Sequence, residues 1–343
     1  MTSTSSRARR LLAAAALATA LSAGSTGAAT AQDTAEPALE PVPLTVGLGY
    51  IPSVQFAQFY LADHAGYYAE AGLDVTFENK IDPELITLLA RGAVDIGMAD
   101  GTSVIPAVSQ GIPVRYGATV YGQDPNVVFS LGDSGIETAV DLAGARIGIP
   151  GRYGSSWVAL QALLASAGLT PDDAEITTYP DFGQAVAVDA GQVDAATGFI
   201  TNEPVQLGLR GRDVNVLRVS EVAPLPGPGL VAGVETIERK GAALQAFATA
   251  TVRAMEEITA DPQVGLEATF ERVPELAADP KTQLAILEAT IESWKGDHAA
   301  EHGLGTVDRE AWESGLAIMR SLPGSTVSDE LTVDDLVTDA LGY

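Results

Sequence analysis

The fold is decided by the stretch Thr45-Val-Gly-Leu-Gly-Tyr-Ile-Pro-Ser-Val-Gln-Phe-Ala-Gln-Phe-Tyr60. Its apolar start, Leu44 to Leu48, predicts a β-strand, and the Gly- and Pro-containing break at 49–52 predicts a loop. Ser53 is suited to cap a helix that begins directly after it. A strand that leads through a loop into a helix is where open α/β sheets bind ligands. We therefore predict that this stretch forms one wall of a small-molecule cleft.

The N-terminal segment has the three parts of a secretory signal peptide. They are a basic part at Arg7–Arg10, an apolar part at Leu11–Leu21 and an Ala-x-Ala cleavage site at Ala29–Ala31. We therefore expect residues 1–31 to be removed and the protein to be exported to the periplasm or the cell exterior. Residues 32–43 are rich in proline and acidic residues, which predicts a flexible lead-in.

The net charge and the lack of cysteine exclude several kinds of binding partner and of chemistry. The chain has 343 residues, a formal net charge of −26 and no cysteine. Such a surface repels nucleic acid and anionic lipid, so we expect neither as a partner. The lack of cysteine excludes disulfides, thiolate metal sites, cysteine nucleophiles and a lipid anchor on cysteine. With 46% hydrophobic residues, the chain is long enough for two lobes with substantial cores.

Strand and helix patterns alternate after residue 44, as in α/β proteins. Three short motifs recur at nearly constant spacing: Ala71-Gly-Leu73 with Ala167-Gly-Leu169, Gly92-Ala-Val-Asp95 with Gly191-Gln-Val-Asp194, and Ile51-Pro52 with Ile149-Pro150. This recurrence predicts two similar βαβαβ halves whose strand ends face each other across a cleft. From residue 240 onward the pattern is helical, and we expect this tail to pack on the first half.

Aromatic side chains lie at the two matched breaks of this pattern. Tyr50 and Phe56 follow the first strand, and Tyr153 and Trp157 follow its counterpart. Aromatic rings stack on flat heterocycles, so we predict that Tyr50 and Trp157 cover opposite faces of a planar ligand. Phe56 and Phe59 are spaced as i and i+3 on a helix, a pattern that fits either the cleft or the core behind it.

Polar side chains complete the predicted ligand contacts, which are Gln55, Asp100, Thr102, Tyr121, Arg152, Ser155, Asn202 and Glu203. Glu203 would accept a hydrogen bond from an imide or amine N–H, and an ion pair with an arginine is the alternative. Thr102 could contact the ligand or cap the helix that follows it. Arg152 is the one basic residue of these loops, which argues against a small anion and for a neutral planar heterocycle.

Two blocks of sequence resemble the substrate-binding proteins of ABC importers. They are Gly49-Tyr-Ile-Pro-Ser-Val-Gln-Phe-Ala-Gln-Phe-Tyr60 and Gly66-Tyr-Tyr-Ala-Glu-Ala-Gly-Leu-Asp-Val75, and Thr201-Asn-Glu-Pro204 fits the same pattern. The closest group includes binders of thiamine pyrimidine precursors, riboflavin, sulfonates and nitrate. Within it, Tyr50-Ile-Pro-x-Val-Gln-Phe56 followed by Gly151-Arg-Tyr-Gly-Ser-Ser156 looks most like the riboflavin-binding branch.

The resemblance implies a type II periplasmic-binding-protein fold, an α/β architecture of two lobes around a hinged cleft, with a C-terminal helical extension. Lobe 1 would comprise residues 44–129 and 232–343, and lobe 2 residues 130–231. Two crossover strands, near Val127–Leu131 and Leu230–Val234, would join them.

The resemblance also implies a receptor rather than an enzyme, with no catalytic residue, metal or cofactor. As a monomer it would bind a planar heteroaromatic vitamin and present it to an importer permease, which would also keep the receptor at the membrane. Riboflavin is the first choice of ligand and the thiamine pyrimidine precursor the second.

Three alternatives stay beside this interpretation. A receptor of the same fold could bind a sulfonate or nitrate anion. His298-Ala-Ala-Glu301-His302 spells a zinc-protease signature, which would make the protein a secreted zinc hydrolase. Pyrimidine synthases share the fold, but that family carries a cysteine-rich motif that this chain lacks.

Overall fold

The computed structural model describes residues 40–81 and 84–343. Its strands are β1 (Val42–Leu48), β2 (Leu73–Asn79), β3 (Ile96–Asp100), β4 (Val114–Thr119), β5 (Asn126–Leu131), β6 (Arg146–Ile149), β7 (Glu175–Thr178), β8 (Ala195–Phe199), β9 (Val214–Arg218) and β10 (Pro228–Gly233). The predicted signal peptide lies outside the described residues, as does the predicted lead-in up to residue 39.

Helices connect these strands and form the C-terminal third of the chain. They are α1 (Ala57–His64), α2 (Tyr67–Glu70), α3 (Glu84–Ala90), α4 (Gly101–Ser109), α5 (Gly154–Ser166), α6 (Gln184–Asp189), α7 (Glu203–Leu209), α8 (Val234–Ala260), α9 (Pro262–Arg272), α10 (Pro280–Trp294), α11 (Asp297–His302) and α12 (Arg309–Ser321). Within the described ranges no helix is long and apolar enough to cross a membrane.

The strands form two five-stranded sheets of the same topology. The first has the order β2-β1-β3-β10-β4 and the second β7-β6-β8-β5-β9. In each sheet the three strands on one side are parallel, and the fourth is antiparallel to its neighbours. We call the half of the molecule built on the first sheet lobe 1 and the half built on the second sheet lobe 2. The α/β architecture of two lobes predicted from the sequence is confirmed.

Each sheet contains one strand that the chain brings in from the other half. β5 follows β4 of the first sheet but pairs with β8 and β9 of the second. β10 follows β9 of the second sheet but pairs with β3 and β4 of the first. The predicted lobe limits, at 129/130 and 231/232, fall inside these two crossover strands and stay a prediction.

The repeated Gly-x-Val-Asp motif has the same structural role in both lobes. The Asp95 carboxylate accepts the backbone N–H of Thr45 at 2.9 Å, and the Asp95 N–H donates to the Thr45 carbonyl at 2.8 Å. Asp194 and Arg146 repeat both bonds, each at 2.8 Å. The aspartate thus ties the central strand of each sheet to the strand beside it.

The other two repeated motifs differ in outcome. Gly72 and Gly168 both end a helical segment with φ near +70°, at +73° and +72°, a conformation that favours glycine. Ile51 and Ile149 are not equivalent: Ile51 lies in a loop and is 46% exposed, whereas Ile149 ends β6 and is fully buried. The match of the two Ile-Pro pairs therefore has no structural basis.

A hydrophobic cluster continues from lobe 1 into lobe 2. Helix α5 packs against α4 and against α12. Val104, Leu160 and Trp312, one from each of these helices, are at most 2% exposed and belong to one cluster of buried residues. The two lobes therefore share part of their core.

The helical tail contacts both lobes, not only the first. On lobe 1, Phe247 of α8 stacks on Tyr68 with ring centroids 4.7 Å apart and an interplanar angle of 9°. Helix α10, however, contacts both the short turn at Val54–Phe56 and α7 of lobe 2. The expectation that the tail packs on the first half was therefore too narrow.

Sequence patterns missed two elements and overstated one. Helix α7 is short and contains Pro204 and Gly208, and β9 is an edge strand whose side chains are only half-buried. Both signals are weak in sequence. The helical pattern predicted from residue 240 onward is not continuous, since residues Val333–Asp335 form only a turn.

We expect Asp95→Ala to lower the free energy of unfolding by about 1–3 kcal/mol, because it removes the acceptor of the Thr45 amide and the partner of Lys240 at 2.8 Å. The measurement is urea unfolding followed by far-UV circular dichroism. Asp133→Ala, at an exposed position, is the control and should change little. Equal midpoints for the two variants would contradict the structural role of Asp95.

Candidate functional site

A cleft of about 890 Å³, including its solvent-open part, lies where the ends of strands from both sheets meet. Its lining comes from both lobes and from the crossovers. The lining residues are Gly49, Tyr50, Gln55, Phe56, Ile81, Met98, Ala99, Asp100, Tyr121, Pro150, Tyr153, Gly154, Ser155, Ser156, Phe182, Gln184, Gly198, Phe199, Asn202, Glu203 and Pro228. Nine of the twelve residues predicted to contact a ligand are among them.

The stretch that follows β1 forms one wall of this cleft. Ser53 caps the turn at Val54–Phe56, because its hydroxyl accepts the backbone N–H of Gln55 at 3.2 Å. Phe56 is 4% exposed and lines the cleft, whereas Phe59 is fully buried and contacts Phe247 at 6.1 Å between ring centroids. The two phenylalanines thus divide between the cleft and the core.

Tyr50 reaches across the cleft from this wall. Its ring meets Phe182 of lobe 2 edge-on, with centroids 4.8 Å apart and an angle of 81°. Its hydroxyl forms a hydrogen bond with the Asn202 side chain. Burial, reinforced by the negative charge of Glu203, raises the pKa of Tyr50 well above its ordinary value, so the phenol stays neutral.

A buried polar group joins the two lobes behind Tyr50. The Gln55 side-chain amide donates to the Thr201 hydroxyl at 2.8 Å. Burial raises the pKa of Tyr121 to about 12, and polar contacts with the side chains of Thr290, Gln55 and Thr201 oppose the rise. Thr290 belongs to α10, so the tail takes part in this network.

Asp100 and Ser155 form another contact between the lobes. Asp100 ends β3, and Ser155 lies in the first turn of α5. The serine hydroxyl donates a hydrogen bond to the carboxylate. Burial raises the pKa of Asp100, and this hydrogen bond opposes the rise.

Glu203 lies at the base of the lobe 2 wall and is 7% exposed. Its carboxylate accepts the backbone N–H of Phe199 at 2.9 Å and a longer bond from the Asn202 amide at 3.4 Å. A Cβ at Gly198 would lie 2.6 Å from one carboxylate oxygen, so only glycine leaves room for this conformation. No ion pair with an arginine is found for Glu203 in the described chain, and burial raises its pKa.

Three predicted contacts are absent from the lining. Trp157 points away from the cleft: it packs against the cluster shared by α4 and α5, and the Arg152 guanidinium lies over its ring at 5.0 Å. Arg152 is exposed. Thr102 is buried in the first turn of α4, and its hydroxyl has no hydrogen-bond partner among the described residues. The residues of α5 that reach the cleft are the first three, Gly154 to Ser156, and Trp157 lies beyond them along the helix.

Tyr153 lines the rim of the cleft and is 41% exposed. The loop after β7, which the sequence does not mark as part of the site, brings Phe182 and Gln184 into the lining. A Phe-Gly-Gln sequence carries no ligand-binding signature. Its position becomes evident only once β7 is paired with β6 at the sheet edge.

The lining has a clear chemical character. Among the described residues that line the cleft, none is lysine, arginine or histidine. Aromatic rings and the oxygen acceptors of Asp100, Gln184 and Glu203 dominate it instead. Such a site favours a flat ligand that is neutral and carries N–H or O–H donors, because an anion would find no positive partner there.

The predicted zinc signature forms no metal site. His298 and His302 lie on α11 with ring centroids 4.5 Å apart, and His298 Nδ1 is 3.8 Å from a carboxylate oxygen of Asp308. Across residues 40–81 and 84–343, no group of three or more His, Cys, Asp or Glu side chains is placed to hold a metal ion.

A further buried carboxyl lies in the crossover between β4 and β5. Asp124 is 6% exposed, and one of its oxygens accepts from the backbone and the side chain of Asn126, at 3.2 and 2.6 Å. Burial raises the pKa of Asp124 to about 7, the Asn126 bonds oppose the rise, and the charge of Asp100 adds to it. This carboxyl belongs to the crossover and not to the cleft lining.

We expect Asp124→Asn to raise the melting temperature more at about pH 8 than at about pH 5. The folded protein holds this proton more tightly than the unfolded chain, so stability falls as the pH rises from the ordinary value of 3.8 through about 7. The asparagine variant has no carboxyl to ionise at this position, so its stability does not fall with pH for this reason. Differential scanning calorimetry at both pH values measures it, with Asp133→Asn as control, and a difference independent of pH would contradict the burial of an ionisable Asp124.

Comparisons with known proteins agree with this architecture. A family model described as "NMT1/THI5 like" matches residues 53–264. The chain is 32% identical to riboflavin-binding protein RibY of Chloroflexus aurantiacus over 291 residues, which cover 84% of this chain and 82% of RibY. It is 26% identical to a 4-amino-5-hydroxymethyl-2-methylpyrimidine phosphate synthase of Saccharomyces cerevisiae, over 64% of this chain and 68% of the synthase.

Among solved structures, the alkanesulfonate-binding protein SsuA of Xanthomonas axonopodis is similar with a TM-score of 0.64 and 19% identity, over 84% of this chain and 97% of that one. This likeness concerns the fold. With two sheets of periplasmic-binding-protein topology and a family match over more than half of its length, the chain belongs to the NMT1/THI5-like family.

Proposed function

We propose that the protein is an extracytoplasmic solute receptor of an ABC importer that binds a planar, neutral heteroaromatic vitamin or vitamin precursor. The observation that carries the proposal is the composition of the cleft: aromatic rings from both lobes and buried oxygen acceptors, without a cationic side chain among the described lining residues.

Contacts between the lobes support a binding role rather than catalysis. Tyr50, Gln55 and Asp100 of lobe 1 each meet a side chain of lobe 2. A ligand in the cleft beside these contacts would be enclosed by both lobes, as a receptor that carries its ligand to a permease requires. Tyr50 and Phe56 supply ring surface, and Glu203 supplies an acceptor for an N–H of the ligand.

Riboflavin is the proposed ligand, and a thiamine pyrimidine precursor is the second choice. The relative named for riboflavin binding is the one that shares 32% identity over most of both chains. Both molecules are flat, and both carry hydrogen-bond donors for the acceptors of the cleft. The anion-receptor alternative is less well supported, because the exposed Arg152 lies outside the lining.

An enzymatic role has less support than binding. Relatives named as pyrimidine phosphate synthases share the family, but this chain has no cysteine for the motif that the resemblance associates with them. The zinc alternative finds no cluster of ligands in the described residues. We infer that the chain acts by binding and release, and that it works as a monomer.

We expect Tyr50→Ala to weaken riboflavin binding by about tenfold, because it removes a ring that encloses the ligand, and an aromatic contact contributes about 0.5–1.5 kcal/mol in addition to buried area. Trp157→Ala is the matched control, since this larger ring lies outside the lining, and it should leave the dissociation constant within about twofold. Isothermal titration calorimetry on the purified protein measures both.

The same titration tests the choice of ligand. Wild-type protein should bind riboflavin and show no binding of ethanesulfonate or nitrate. Protein purified from a flavin-containing host should be yellow. Binding of the anions without riboflavin would overturn the proposal. Equal losses in Tyr50→Ala and Trp157→Ala would show that the ligand lies elsewhere.

A further inference from the structure

The loop between β7 and α6 holds a backbone conformation that is unusual for its residue type. Phe182 has φ of +58°, and within the described chain it is the one non-glycine residue with positive φ. Side chains rarely adopt this left-handed region, because it costs about 1 kcal/mol or more for residues other than glycine. Glycine would adopt this conformation easily and follows directly at 183, yet it is Phe182 that has the positive φ.

The surroundings of Phe182 hold this conformation. Its N–H donates to the Tyr179 carbonyl at 3.1 Å, and the Gly183 N–H donates to the Asp181 carboxylate at 3.3 Å. The left-handed backbone sends the ring out of lobe 2 and edge-on to Tyr50 of lobe 1, at 4.8 Å between centroids. The strained residue is thus the one that reaches the opposite wall of the cleft.

Gln184, two residues later, leaves an acceptor unused. Its side chain is 1% exposed and lines the cleft, and its carbonyl oxygen has no hydrogen-bond partner among the described residues. A buried amide oxygen without a partner costs free energy, and buried polar groups in native proteins are almost always paired. A donor carried by a ligand in the cleft would supply the missing partner.

We propose that the Tyr179–Gln184 segment recognises the ligand: Gln184 accepts a hydrogen bond from a ligand N–H or O–H, and the Phe182 ring, edge-on to Tyr50, forms with it an aromatic surface that covers the ligand. This inference rests on the proposed function and adds to it two specificity-determining residues. The ligand class it implies is a neutral heteroaromatic molecule with at least one hydrogen-bond donor at the lobe 2 side of the cleft.

The test of Gln184 replaces it by methionine, which has a similar shape and no amide oxygen. Gln184→Met should weaken riboflavin binding about tenfold in isothermal titration, while its melting temperature stays equal or rises, because an unpaired buried acceptor is removed. Gln58→Met is the matched control. Gln58 is fully buried and its carbonyl oxygen also lacks a partner in the described chain, but it lies outside the cleft lining, so its loss should leave the dissociation constant unchanged.

Phe182→Gly separates recognition from folding. Glycine adopts positive φ without strain, so this variant should keep or raise the melting temperature and still bind riboflavin about tenfold more weakly. Phe182→Ala keeps the strain and should bind as weakly, with a lower melting temperature than the glycine variant. If wild-type protein binds no riboflavin or pyrimidine, the proposed function fails and this inference with it. If wild-type protein binds riboflavin and both Gln184→Met and Phe182→Gly bind it as tightly as wild type does, this inference alone is wrong.

Discussion

The exchange of one strand between the two sheets is the constraint on which the rest of the structure depends. β5 and β10 leave their neighbours in sequence and complete the sheet of the other lobe, each as an antiparallel strand between two others. Both strands are almost entirely buried, so neither sheet is complete without a segment from the other half of the chain. The strand ends that carry Tyr50, Asp100 and Glu203 face one another because these two crossovers fix the order of the sheets.

The cleft combines rigid supports with contacts that span the lobes. At the ends of the central strands away from the cleft, Asp95 and Asp194 hold each of these strands to its neighbour, and behind Tyr50 the buried Thr201 and Tyr121 connect Gln55 to lobe 2. At the opening, the lobes are connected by the edge-on contact of Tyr50 with Phe182 and by single hydrogen bonds, each of which is weak in isolation. A site with firm supports and easily exchanged contacts at its opening is suited to a ligand that must enter and leave.

Much of the fold was predictable because strand, loop and helix signals repeat, and Tyr50, Asp100 and Glu203 follow strand ends that the pattern identifies. What was not predictable depends on direction and pairing. Ser155 lies in the first turn of α5 and reaches the cleft, whereas Trp157, two positions later, lies outside the lining. Phe182 and Gln184 follow an edge strand, and only the pairing of β7 places them at the cleft. The match of the two Ile-Pro pairs predicted equivalent positions in the two lobes, but Ile51 lies in a loop and Ile149 ends a strand.

The buried cluster that contains Val104, Leu160 and Trp312 has a thermodynamic consequence for the whole molecule. Proteins of two lobes can melt in two steps when each lobe has a core of its own. Here one of the three buried clusters includes side chains of both lobes and of the C-terminal helices, so the loss of either sheet exposes side chains that support the other. Denaturation should therefore be a single cooperative transition, with a calorimetric enthalpy that matches the van't Hoff value for the entire chain.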